Sequence, residues 1–195
     1  MPTSHGRIWT IGTAIVVAIV LVIVVRTAQV SSHAKIFLRE AVALRLREST
    51  QDQVQALVQR FNGHVEPRSS DSMGYSYVVI FENTWLRYLR LAPLTRLSIT
   101  LGTSDGVLVY RRVFLTSSDS GALVEEWLSW PGYLPGAPFH ISGSSSGERY
   151  RVFVDLTPDA SPAQHTAAYD LNVNCLSKIG GCVKPEQLIP SVTWK

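Results

Sequence analysis

Few residues in this chain have types and spacings that could support chemistry. Residues 143–147 match G-x-S-x-G, which in hydrolases places a serine nucleophile on a sharp turn between a strand and a helix. Here a proline-rich loop precedes the match and a predicted strand follows it, so we reject a nucleophilic serine. Glu125 and Glu126 are adjacent on a predicted short helix. Their side chains would point in different directions, which makes them a poor acid–base pair.

The histidines show no metal-binding spacing. The five are His5, His33, His64, His140 and His165. None belongs to an HExxH or similar pattern, and an ordinary loop histidine explains His140 better than a ligand does. The sequence also has no phosphate-binding or dinucleotide-binding glycine motif. It therefore predicts no catalytic residue, no metal site and no cofactor.

Two cysteines, Cys175 and Cys182, frame the segment CLSKIGGC. A zinc site usually needs four ligands, and only His165 is near in sequence. A disulfide closing a small loop fits better, with Gly180-Gly181 allowing the tight return. The chain-entropy model gives such a loop about 2.5 kcal/mol of stability. Two free buried thiols in a cytosolic domain remain the alternative. Because disulfides persist in oxidising compartments, the pair favours a domain outside the cytoplasmic membrane.

The longest apolar segment, residues 8–25, contains no charge and no proline. As an α-helix it is about 27 Å long, close to the hydrocarbon thickness of a bilayer. Trp9 lies at one end, and Arg7 and Arg26 flank the segment, as is usual at membrane interfaces. We predict a transmembrane helix that serves as an uncleaved signal anchor and has the lipid bilayer as its partner. Cleavage near Ala34, in a small-x-small sequence, is the alternative.

The charges near this segment and the cysteines predict opposite orientations. Five basic residues follow the apolar segment closely, so the positive-inside rule would keep the domain in the cytoplasm; they are Arg26, Lys35, Arg39, Arg45 and Arg47. That rule is weak for long C-terminal domains. With the predicted disulfide, we expect a cytoplasmic N-terminus and an extracytoplasmic domain. A domain facing the cytoplasm remains a rival.

The charge beyond the anchor is nearly balanced. Without Arg7 and Arg26, the chain has 16 basic and 15 acidic residues, and the basic ones are scattered. This excludes an electrostatic argument for nucleic acid binding. The remaining length suits one domain. The expected organisation is a short tail at 1–7, a transmembrane helix at 8–25, a juxtamembrane stem at 26–40 and a single domain at 41–195.

Within that domain, local patterns predict an α+β fold. Ser49 and Asp52 resemble a helix cap, an apolar stripe follows from Val54 to Phe61, and Asn62-Gly63 supplies the stop. Strands are predicted at 41–47 (with a helix as the alternative), 75–81, 94–101, 107–115 and 149–156. Asp105-Gly106 would join two of them in a hairpin. Residues 117–147 are expected to form a long connection outside the sheet, with a short helix at 122–130 and a flexible serine-rich end at 142–147. The prediction is a four- or five-stranded antiparallel sheet with one main helix packed on it.

The layout of residues 46–115, a capped helix followed by a meander with an Asp-Gly turn, resembles that of small envelope lipoproteins of the BamE/SmpA type. The sequence lacks the lipidated cysteine of those proteins. The resemblance concerns layout and implies no residue roles.

Residues 85–91, WLRYLRL, admit two interpretations. One is a helical turn, ended by Pro93, that packs beneath the sheet. The other is an exposed aromatic and basic surface, in which Trp85, Arg87, Tyr88 and Arg90 form a contact patch or a membrane-facing lip.

Together these patterns predict a single-pass membrane-anchored envelope protein. We expect a non-enzymatic scaffold, accessory protein or binding module with an envelope protein as its partner. The alternatives are an envelope enzyme with an unrecognised site near the proline-rich loop, and a secreted soluble protein released by cleavage near Ala34.

Overall fold

The computed structural model describes residues 4–67, 74–118, 120–128, 139–146 and 149–191. Its first element, α1, is a 40-residue helix, Ser4–Ala43. This helix, near the N-terminus, is long and apolar enough to cross a membrane. The stem at 26–40, for which the sequence allows either a continuation of the helix or a loose linker, lies within α1, which runs through it without a break.

Two different halves make up α1. From Thr13 to Val22 every side chain is exposed, and from Ile23 onward a buried position recurs every three or four residues. The buried positions are Ile23, Thr27, Ser31, Ala34, Phe37, Leu38 and Ala41. That spacing is one face of a helix, and it packs against the rest of the protein. The C-terminal half of α1 is therefore part of the hydrophobic core.

The strand predicted at 41–47 is wrong, since α1 runs to Ala43 and a turn follows it. The alternation there is too short to distinguish a strand from the end of a helix, and burial of Ala41 on the helical stripe decides the outcome. The next helix, α2, spans Gln51–Arg60, as predicted. Its cap is Thr50, which forms a capping box with Gln53, rather than Ser49 with Asp52.

The described residues form one sheet of seven strands, whereas four or five strands were predicted. They are β1 His64–Pro67, β2 Gly74–Glu82, β3 Thr95–Ser104, β4 Val107–Ser117, β5 Ser120–Trp127, β6 Phe139–Ser146 and β7 Arg149–Leu156. Their order across the sheet is β1-β2-β3-β4-β5-β7-β6. All neighbours are antiparallel except β5 and β7, which are parallel, so the sheet is mixed. The α+β class is confirmed, and the number of strands is corrected.

β5 replaces the short helix predicted at 122–130. The two adjacent glutamates there suggested a helix, but they pair across strands with two adjacent arginines of β4. Arg111 lies opposite Glu126, and Arg112 opposite Glu125. Because neighbouring strand residues point to opposite faces, one ion pair lies on each face of the sheet. Tertiary pairing thus overrides the local helical preference.

The hairpin of β3 and β4 is confirmed, with Asp105 and Gly106 both at positive φ in the turn. Its register shifts at Gly102/Thr103. This β-bulge changes which residues share a face, so Leu108 lies on the core side together with Arg111 and Val113. A simple two-residue alternation along β4 would put Leu108 on the face opposite Arg111, and the bulge is the reason that it does not.

β6 occupies the stretch predicted to be flexible at 142–147, up to its last residue, Ser146. The G-x-S-x-G match begins within this edge strand and does not form a turn between a strand and a helix. The proline-rich loop at 131–138 lies outside the described residues.

Four short elements complete the fold: α3 Thr84–Tyr88, α4 Pro162–Ala168, a 3₁₀ turn Val173–Leu176 and α5 Pro185–Leu188. Residues from α1, α2, the 3₁₀ turn and α5 form one core with side chains from a single face of the sheet. α3 belongs instead to a small separate cluster against α1. The domain thus has two layers, helices on a sheet.

Candidate functional site

The predicted contact patch lies on α3 and the turn that follows it. Asn83 is buried at the start of this connection between β2 and β3, and its side chain bonds to the residues at the end of the connection. Its side-chain amide donates to the Pro93 carbonyl at 2.9 Å, and its Oδ1 accepts from the Thr95 amide at 2.8 Å. The backbone amide of Leu91 donates back to the Leu86 carbonyl at 2.9 Å. These bonds hold α3 as a compact knob between β2 and β3.

The aromatic side chains of this knob face outward. Tyr88 is 82% exposed and Trp85 is 50% exposed, so they do not pack beneath the sheet. Arg87 and Arg90 are exposed beside them, and Arg90 adopts a positive φ in the turn. Within α3 the buried residue is Leu86, which packs with the buried Ala92 and with Ile23 of α1. The surface therefore combines rings, basic groups and direct contact with the long helix.

A disulfide joins Cys175 and Cys182, with the two Cα atoms 5.5 Å apart. Gly180 and Gly181 both have positive φ and make the tight return. The Gly180 amide donates to the Leu91 carbonyl at 2.9 Å, which ties the loop to the knob. As a result Ile179, at the tip of the loop and 70% exposed, lies on the same side of the protein as α3.

An apolar cleft of about 270 Å³ separates the knob and the disulfide loop from α1. One wall consists of α1 residues, among them Val20, Ile23 and Val24, which belong to the apolar segment at 8–25. The opposite wall consists of Leu86, Leu89, Leu91, Ser177 and Ile179. The domain thus folds back alongside the last turns of the helix that could cross a membrane.

A buried ion network, which no sequence pattern indicates, lies on the core face of the sheet. Arg111 is 2% exposed, and its Nη1 donates to Oε2 of Glu126 at 2.7 Å. The Tyr169 hydroxyl donates to the same carboxylate oxygen at 2.9 Å, and the Arg111 guanidinium lies 5.4 Å from the Tyr169 ring centroid. Arg111 also donates to the backbone carbonyl of Leu44, just after α1. The network therefore connects β4, β5, the segment after α4 and the end of α1.

Burial raises the pKa of Tyr169 well above its usual value of 10.0, so the hydroxyl stays protonated and keeps donating to Glu126. Nδ1 of His165 lies 3.9 Å from the other carboxylate oxygen of Glu126. His165 and Tyr169 line a wide cleft of about 650 Å³ together with Lys35 and Arg39 of α1. A histidine beside a buried carboxylate can relay a proton. Here the carboxylate is already held by Arg111 and Tyr169, which favours a structural role.

The other face of the sheet carries no helix among the described residues. Cross-strand pairing aligns Ile80, Ser98, Phe114, Leu123 and Phe153 in one row. Ile80 is exposed, and the three other apolar side chains are half-buried. We call Ile80, Phe114, Leu123 and Phe153 the apolar row.

A charged row runs beside the apolar row. Arg112, Glu125, Asp155 and His140 lie opposite one another on successive strands. Arg112 pairs with Glu125, and Nδ1 of His140 lies 3.7 Å from Oδ2 of Asp155. The open face thus combines an apolar stripe with a row of paired charges beside it.

The sequence supplied part of this picture. It singled out Trp85, Arg87, Tyr88 and Arg90, and the structure brings all four together on one knob. Leu89, Leu91 and Ile179 were missed as surface residues, and their apolar character next to basic residues was the available signal. Neither the ion network nor the apolar row could be read from the chain, because both depend on which strands are neighbours.

Comparison of the chain with models of known protein families, with curated proteins and with solved structures finds no match. The likeness in layout to small envelope lipoproteins therefore gains no support. Any function must be argued from the geometry of the long helix, the knob and the open face of the sheet.

Proposed function

We propose that this protein is a single-pass, membrane-anchored binding module, with its N-terminus in the cytoplasm and its domain outside the cytoplasmic membrane. The observation that carries the proposal is the continuity of α1, whose exposed apolar half leads directly into a half that is part of the domain core. A domain built this way is held at a fixed height and angle on the bilayer. Such rigid placement suits a scaffold or accessory protein that must meet a partner at the membrane.

The burial pattern of α1 also favours an uncleaved anchor. Ala34, the last residue of the candidate cleavage site, is fully buried, and the Ser31 hydroxyl donates to the Val173 carbonyl at 3.3 Å. Cleavage there would remove part of the stripe that packs on the domain. The secreted form is thus the less favoured alternative.

The outward orientation rests on the disulfide. Cys175 and Cys182 are both fully buried, and their bond holds the loop beside the knob. Disulfides of this kind persist in oxidising compartments and are rare in the cytosol. A domain in the cytoplasm would lack this support for the loop.

Binding is assigned to the open face of the sheet. Phe114, Leu123 and Phe153 of the apolar row are adjacent across β4, β5 and β7 and only half-buried. Such an apolar strip favours a surface for a partner, and the charged row beside it would orient that partner. The charged row itself does not favour an enzyme, because each of its described side chains is engaged with its neighbour. We therefore favour a protein partner in the cell envelope.

Site-specific photocrosslinking tests this assignment. A photoreactive phenylalanine analogue placed at Phe114 or Phe153 is expected to give a crosslinked species in living cells. The same analogue at Gln59, an exposed position on α2, serves as the control and should give none. A species of twice the chain mass would identify a second copy as the partner. Equal yields at all three positions, or none at Phe114 and Phe153, would contradict binding at this face.

A further inference from the structure

We infer that the knob and the disulfide loop insert into the headgroup layer of the bilayer that holds α1. The inserted surface, which we call the lip, consists of Trp85, Tyr88, Leu89, Leu91 and Ile179. This inference rests on the proposed membrane anchoring and adds a second, independent contact between the domain and the lipid. Its partner is the anionic phospholipid surface of the leaflet on the domain side.

The depth of the lip follows from the helix it touches. Ile23 precedes Arg26 by three residues, so it lies about 4.5 Å closer to the membrane centre along α1. Ile23 is only 9% exposed, whereas Val22 and Val24 on either side are 56% and 58% exposed. The side chains that cover it are Leu86 and Ala92 of the knob. Part of the domain therefore reaches below the level at which the apolar segment ends.

The residues that line the apolar cleft also indicate that the lip lies below the end of the apolar segment. Val20, which lines the cleft, precedes Arg26 by six residues and lies about 9 Å below it along the helix axis. Leu89, Leu91 and Ile179 form the opposite wall, and all three are exposed. If the apolar segment is in lipid, then this cleft opens into acyl chains. Lipid is the occupant that fits both walls.

The side chains around the lip have the chemistry of a membrane interface. Trp85 and Tyr88 are the aromatic types enriched at headgroup level. Arg87, Arg90 and Lys178 are exposed beside the lip residues, and Arg26, which follows the apolar segment on α1, is exposed as well. Basic side chains close to a bilayer are attracted by anionic headgroups. The lip thus pairs apolar insertion with cationic contact, as interfacial segments do.

Depth-dependent fluorescence quenching tests the inference on the full chain. A bimane label is attached through Tyr88→Cys, Val17→Cys or Ser98→Cys while the disulfide stays oxidised. The labelled proteins are reconstituted in vesicles of phosphatidylcholine and phosphatidylglycerol in equal amounts. Val17 reports on the anchor, and Ser98, on the open face of the sheet, is the aqueous control. We expect brominated lipids to quench the labels at Val17 and Tyr88 and to leave the label at Ser98 unchanged.

A charge at the loop tip provides a matched variant. Ile179→Asp, at an exposed position that the fold does not bury, is expected to reduce lipid quenching at Tyr88 to the level seen at Ser98. Replacing phosphatidylglycerol by phosphatidylcholine should weaken the quenching at Tyr88, because the attraction to Arg87, Arg90 and Lys178 is lost. Circular dichroism of each variant confirms that the fold is retained.

The outcomes separate the lip from the anchor. Lipid quenching at Val17 with none at Tyr88, together with iodide quenching at Tyr88, means that the knob is in water and overturns the lip alone. Shielding of Tyr88 from both lipid and iodide means that another protein chain covers it, which also overturns the lip. Absence of lipid quenching at Val17 would overturn the proposed anchoring, and the lip with it.

Discussion

Replacing Arg111 by methionine is expected to lower the free energy of unfolding by about 3–5 kcal/mol. The substitution removes the only cation bonded to Glu126 among the described residues and leaves that carboxylate buried. Removing one member of a buried pair costs more than the pair contributes, because the remaining carboxylate is shielded from water and keeps the Tyr169 hydroxyl but loses the guanidinium that balances its charge. The contact between Arg111 and the Leu44 carbonyl is lost as well. Denaturant unfolding of the full chain in detergent micelles, followed by tryptophan fluorescence, measures the effect.

The chain contains its own control for this prediction. Arg96→Met removes an arginine of β3 whose side chain is 46% exposed and pairs with Glu82, whose side chain is 30% exposed. We expect a loss of about 1 kcal/mol or less there, since water can replace the partner. The double variant Arg111→Met with Glu126→Leu should recover most of the stability, because it leaves no unpaired buried charge. Equal losses for the two arginine variants would contradict a buried network.

Replacing Phe37 by alanine is expected to cost about 3–5 kcal/mol of stability. Phe37 lies on the C-terminal half of α1 and is fully buried. Its ring centroid is 5.0 Å from that of Phe61 after α2 and 5.9 Å from that of Phe81 on β2. The substitution removes the central ring of this cluster and leaves a cavity that the sheet cannot fill. The same unfolding measurement applies.

Ile36→Ala is the matched control on the same helix. Ile36 is adjacent to Phe37 in sequence but 37% exposed, so its truncation should cost less than about 1 kcal/mol. A large difference between the two variants means that α1 is part of the folded domain. If Phe37→Ala were as mild as Ile36→Ala, then α1 would be a tether, and rigid placement on the membrane would have no basis.

The sequence predicted those elements whose signals are local. The apolar segment at 8–25, the helix from Gln51 to Arg60 and the hairpin around Asp105-Gly106 each follow from spacing within a short window. The disulfide was favoured because only two cysteines were present and their spacing suited a loop. The formation of these elements depends little on tertiary contacts with the rest of the chain.

The remaining features depend on distant residues, and the sequence could not specify them. β5 becomes a strand because Glu125 and Glu126 meet Arg112 and Arg111 across the sheet, and no local signal contains that pairing. A simple alternation would misassign the faces of β4, because a β-bulge near Gly102 shifts it. Both errors come from tertiary contacts that outweigh local preference.

The candidate site shows the same division. Trp85, Arg87, Tyr88 and Arg90 stand out in the sequence because aromatic and basic residues alternate within one turn. Their position beside Ile23 cannot be predicted from the sequence, since it depends on how α1 packs against a segment about 60 residues away. The apolar row likewise exists only because β2, β4, β5 and β7 place one residue each on the same face.

The most direct test of the central claim is the side of the membrane on which the domain lies, and whether α1 stays attached. Gln59→Cys places one free thiol on the exposed side of α2, and a membrane-impermeant maleimide can then be applied to intact spheroplasts. We predict labelling without permeabilisation, on a protein that stays in the membrane pellet after carbonate extraction and retains residues 8–25 by peptide mass. Labelling only after permeabilisation would contradict the outward domain. A labelled soluble protein that begins at Lys35 would contradict the anchor.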